Sequence, residues 1–155
     1  MVQAKNLTKE PPRSPKIKVG GYAILGRTID KCRASLADTL GDYHFDCPLD
    51  NMLFGFKGIK GSDFKEAVKN AKSDEEIVAW LNSHGDKKSP AEVEQWASES
   101  MKSSLYSIPE KRDYFAGECR KLGLNPEKTS TFDWLDADDR ATFGKGASQA
   151  ASCSL

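Results

Sequence analysis

From Tyr22 onward, apolar residues recur in steps of three and four. Tyr22, Leu25, Ile29, Cys32, Leu36 and Leu40 form one stripe of an amphipathic helix, and Gly41 follows as its stop. After a polar stretch the periodicity returns in shorter pieces. Asp50 is placed to cap "NMLFGFKGI", a helix weakened by Gly55 and Gly58. Ser62 is placed to cap "DFKEAVKNA", whose Phe64 and Val68 lie one turn apart. Ser73 with Glu76 and Ser89 with Glu92 match the S-x-x-E capping box, the second with Pro90 at the first helical position.

The helix after Ser73 carries Ile77, Val78, Trp80 and Leu81 and stops near Gly85, and the next presents Val93, Trp96 and Met101. Pro109 opens another, with Phe115, Cys119 and Leu122 on one stripe and Gly123 closing it. Ser130 or Thr131 can cap "FDWLDADDRATF", whose Phe132 and Leu135 share a side. Alternation of the strand type is confined to the brief "KIKV" at 16–19. The expected fold is all-α, a single compact domain of about six helices over residues 19–143. Pro11, Pro12 and Pro15 make residues 1–18 an extended arm, and the small polar residues of 144–155 make a flexible tail.

Composition narrows the setting. With 155 residues, 38% hydrophobic and 30% charged, the chain can bury roughly 68–70% of its unfolded surface without a metal or disulfide. No apolar run is long enough to span a bilayer, and the N-terminus lacks the apolar stretch of an export signal. The 23 basic residues balance 23 acidic ones, which argues against broad binding to nucleic acid. Only the arm is lopsided, with Lys5, Lys9, Arg13, Lys16 and Lys18 against Glu10. Cysteines at 32, 47, 119 and 153 follow no disulfide or zinc spacing and read as reduced thiols, so a cytoplasmic protein is expected. Cys32 and Cys119 fall on apolar stripes and read as small core residues.

Candidate chemistry concentrates in "GDYHFDCPLDN", residues 41–51. His44, Asp46, Cys47 and Asp50 supply nitrogen, oxygen and sulfur donors, the raw material of a metal site, although the mixture suits neither structural zinc nor calcium. Cys47 with His44 as base would make a thiolate nucleophile, with Asp46 orienting the imidazole. A third reading is a pocket for a small polar molecule or a partner's backbone, with Tyr43 as aromatic wall and His44, Asp46 and Asp50 as polar contacts. The plain alternative is a well-capped loop in which Asp42 and Asp50 cap turns and Tyr43, Phe45 and Cys47 pack inward.

On the preceding helix Arg27, Lys31 and Asp38 lie opposite the apolar stripe, the position of a solvated face, and Arg33 at its border can reach toward the loop. "KVGGY" can act as a hinge between arm and helix, or hold an anion beside Lys16 and Lys18. In "FDWLDADDR", Asp133, Asp136, Asp138 and Asp139 outweigh Arg140, and this acidic segment is complementary to the basic arm of the same or a neighbouring molecule. Trp80, Trp96 and Trp134 read as packing residues and His84 as a helix-end residue.

The stretches "LTKEPPRSP", "GGYAILGRTIDKCRA", "GDYHFDCPLDNMLFGFKGI", "DEEIVAWLNSHG", "PEKRDYF" and "TFDWLDADDRATF" together resemble the bacterial family described as domain of unknown function 5069, over about residues 6–143. The resemblance implies a small cytoplasmic protein made as one unit; it implies no reaction, cofactor or catalytic residue. Three functions remain open. The first is a non-catalytic module that binds a small polar ligand or a protein through residues 43–50, aided by Arg27, Lys31 or Arg33. The second is an enzyme using a metal or the Cys47 and His44 pair. The third is an oligomeric scaffold in which one subunit's arm docks on the next.

Overall fold

The computed structural model describes residues 3–144. Seven α-helices occupy them: α1 (Leu25–Ala37), α2 (Pro48–Lys57), α3 (Gly61–Asn70), α4 (Asp74–Ser83), α5 (Pro90–Lys102), α6 (Pro109–Lys121) and α7 (Thr131–Phe143), with one 3-10 turn at Leu105–Ser107. The all-α expectation holds. "KIKV" contributes a lone antiparallel bridge, Val19 to Tyr22, in place of a strand. The tail beyond residue 144, Cys153 included, lies outside the described residues.

Local signals account for most helix starts. Ser73, Ser89 and Ser130 each accept a hydrogen bond from the backbone N–H three residues on, satisfying donors that the first turn leaves without helical partners. The Glu92 carboxylate returns the bond to Ser89 N–H, whereas Glu76 reaches Lys72 N–H. Two boundaries differ from expectation. The cap of α2 is Cys47, with Pro48 at the first helical position and Asp50 accepting back from the Cys47 N–H. The residue before α3 is Lys60, so Ser62 lies inside the helix. The first helix is also shorter than its stripe: Asp38, at φ 58°, turns the chain left-handed and closes α1 before Leu40 and Gly41.

The main core gathers Ile29, Leu53, Phe54, Phe64, Ile77, Leu81, Phe115, Phe132 and Leu135. Cys32 and Cys119 are wholly buried within it, as their stripes predict. At its centre lies α1, which packs on α2 and α3. Ten consecutive residues of this helix, Leu25 to Ala34, are buried, so it has no solvated face along that length.

This corrects the expectation for Arg27 and Lys31, which are both 0% exposed. Periodicity locates the apolar stripe, but here the opposite side is covered by chain from elsewhere. The arm closes one part, burying Leu7, Pro11, Pro12 and Pro15, with Leu7 N–H donating to Thr39 O at 2.9 Å. Each charge on α1 meets an opposite charge from a different segment: Arg27 with Asp139 of α7, Asp30 with Arg13 of the arm, Lys31 with Asp50 of α2, Arg33 with Asp74 of α4. Farther along the arm, Lys16 reaches Asp133 and Asp136 of α7, so the basic arm and acidic segment do attract each other within one chain. Gly20 and Gly21 adopt left-handed φ of 59° and 87° in the turn that delivers the arm to α1. That turn precedes the N-terminus of α1 rather than forming it, and Lys16 pairs with α7, which removes the helix end and one of the two lysines from the anion reading of "KVGGY".

Candidate functional site

The loop at 41–51 divides its residues between interior and surface. Tyr43 points inward, 4% exposed, and its hydroxyl donates to Asp139 Oδ1 at 2.7 Å. His44 is exposed, and no hydrogen bond joins it to Cys47 among the described residues. Asp46 is also exposed, takes a left-handed φ of 65°, and accepts from Asn51 Nδ2 at 2.9 Å. Cys47 and Asp50 are buried. The structure therefore places two of the four metal-ligand candidates outside and two inside, and among the described residues no three His, Cys, Asp or Glu side chains are grouped to hold a metal.

What the loop builds instead is a closed polar cluster. Asp50, 0% exposed, accepts from Thr28 Oγ1 at 2.6 Å, from Asp46 N–H at 2.9 Å and from Cys47 N–H at 3.3 Å, and its Oδ1 lies 3.1 Å from Lys31 Nζ. The Lys31 ammonium also donates to Cys47 Sγ at 3.1 Å. A desolvated carboxylate is held by such donors, and a desolvated ammonium by such acceptors; either left alone would be costly. The partner of the Cys47 thiol is thus Lys31 and not His44. Arg33, likewise buried, lies 3.0 Å from Asp74.

A second cluster continues from Tyr43. Arg27 Nη1 lies 3.5 Å from Asp139 Oδ2, and its guanidinium stands 5.5 Å from the centre of the Tyr43 ring. Burial pushes the Asp139 carboxyl up to about 8, against the opposing pull of Arg27 and of the Tyr43 hydrogen bond. Burial also raises the Tyr43 phenol far above its ordinary range, with the Asp139 charge adding to it. Both groups are buried, and the two clusters tie the loop to α1 and α7.

Tyr43 has a second side. Together with Leu7 and Thr8 of the arm, Asp42 of the loop, Tyr114 and Glu118 of α6, and Trp134, Asp138, Thr142 and Phe143 of α7, it lines a cleft of about 720 Å³. Tyr43 and Phe143 stack with ring centres 6.3 Å apart, and Tyr114 meets Trp134 edge to face at 6.4 Å. Sequence reasoning assigned Trp134 to packing and passed over Tyr114 and Glu118. The one available signal was the acidic excess of "FDWLDADDR", since Asp138 belongs to this lining.

Fold and cleft define a helical domain with a crevice between segments, walled by aromatic and acidic side chains. The chain belongs to the family described as domain of unknown function (DUF5069), whose model matches residues 9–141. A comparison with curated proteins gave no match. Among the described residues no helix is long and apolar enough to cross a membrane.

Proposed function

We propose that this protein is a non-catalytic module that binds a small polar ligand in the cleft beside Tyr43. The observation that carries the reading is the cleft itself, about 720 Å³ and bounded by arm, loop, α6 and α7. That is within the range of roughly 300–1,000 Å³ typical of ligand pockets. Of the residues first expected to touch a ligand, Tyr43 keeps that role. Arg27 supports it from behind, 5.5 Å from its ring centre, whereas Lys31, Arg33 and Asp50 are each buried against an opposite charge. The Arg27 and Asp139 cluster fixes Tyr43 from behind, which makes the wall rigid before any ligand arrives.

A thermal-shift screen of small polar compounds tests the reading, with Thr142→Trp as the blocked control. Thr142 is exposed and lines the cleft, so an indole there fills the space without entering the core. Compounds that raise the wild-type midpoint and leave the variant unmoved support the cleft. A screen without stabilising compounds, or with compounds that stabilise both proteins equally, refutes it.

A further inference from the structure

The cleft lining has one sign of charge. Among the described residues it holds four aromatic rings, Tyr43, Tyr114, Trp134 and Phe143, and three carboxylates, Asp42, Glu118 and Asp138, with no lysine, arginine or histidine. Glu118 comes from α6 and Asp138 from α7, and both line the cleft. Burial raises the Asp138 carboxyl and the Glu118 charge raises it further, with Arg27 opposing; the Tyr114 phenol is raised by burial, then by Glu118 and Asp138. Lys121 offsets Glu118 only from outside, at 2.8 Å and with its own side chain 73% exposed. A negative field is thus focused on aromatic faces, the combination that attracts an organic cation.

An independent feature concerns Trp134. Its indole is 3% exposed and forms part of the cleft lining, yet its Nε1–H has no acceptor among the described residues. A buried donor without a partner costs free energy until an acceptor reaches it. A ligand oxygen in the cleft would supply one.

We propose that the cleft takes a small organic cation, a substituted or quaternary ammonium that also bears a hydroxyl or carbonyl oxygen. The ammonium lies among the aromatic rings, balanced by Glu118 and Asp138, and the oxygen accepts from Trp134 Nε1–H. This names the ligand class for the binding reading above and rests on it.

Calorimetric titration of the full chain with ammonium compounds from ethanolamine to choline tests the class. Magnesium chloride and the neutral isostere of choline, with tert-butyl in place of trimethylammonium, serve as controls. The expected result is saturable binding of at least one ammonium compound, with tenfold or greater weakening in Glu118→Gln, a partly exposed position where folding is safe, and a smaller loss in Trp134→Phe. Failure of every ammonium compound overturns the cation class. So does equal binding of the neutral isostere or of magnesium. Neutral binding that Thr142→Trp abolishes would leave the cleft a ligand site and sink only the cation; an empty compound screen sinks both.

Discussion

Removing either member of the Lys31 and Asp50 pair should cost more than removing both would suggest. Both side chains are 0% exposed and their charged atoms are 3.1 Å apart. Lys31→Met leaves a buried carboxylate that still accepts from Thr28 and from two backbone N–H groups. Its cost should therefore fall near the lower end of the roughly 3–5 kcal/mol expected when a buried pair is broken. Asp50→Asn strands the ammonium with one fewer anion and turns an amide donor toward either Lys31 and Thr28 or the two backbone N–H groups, all of which need an acceptor. It should reach the upper end, with loss of the α2 cap adding about 1 kcal/mol. The double variant leaves no lone charge, so its loss should fall about 2 kcal/mol or more short of the sum. Urea unfolding at neutral pH, with midpoints and slopes for all four proteins, measures each corner of the cycle. Single losses below about 1 kcal/mol that add to within about 0.5 kcal/mol would refute the pairing.

Gly85 has φ +67°, and a Cβ there would sit 1.9 Å from Lys57 O, whereas Gly123, at φ +73°, has nothing within 4 Å of that point. Gly85→Ala should accordingly destabilise well beyond the roughly 1–2 kcal/mol left-handed penalty expected for Gly123→Ala, as read by thermal midpoints. Asp139 is raised to about 8, so the folded state binds its proton more tightly than the unfolded chain does. Its contribution to stability is complete below the ordinary carboxyl range and is lost as pH rises toward 8; unfolding at about pH 5.5 and about pH 8.5 should show a smaller fall in Asp139→Asn than in the wild type. Cys32 is wholly buried, and burial raises its thiol to about 12. It should resist iodoacetamide at mildly alkaline pH until urea is added, as peptide mass mapping would show.

What could be read from the sequence was local. Ser73, Ser89 and Ser130 announce helix starts because the capping bond closes within three residues, and Cys32 and Cys119 announce burial because their stripes are continuous. Arg27 and Lys31 could not be placed. A charged helical position looks the same whether water or a distant carboxylate faces it, and the carboxylates here come from α7 and α2. Loop 41–51 was visible as chemically dense, but most of that density caps and pins. Beyond Tyr43 the cleft could not be assembled for a related reason: its walls come from four segments, and Tyr114 and Glu118 lie off the Phe115 and Cys119 stripe that marked α6.

The encirclement of α1 also bears on how the chain assembles. Because its four charged residues find partners on the arm, α2, α4 and α7, a form missing any one of these segments would hold an unmatched charge beside the forming core. Half-built states are thereby penalised, and α1 must wait for α7 before the Arg27 side chain can be desolvated at low cost. The ion pairs thus act as a completeness check on folding, favouring a single cooperative transition over accumulation of partial structures.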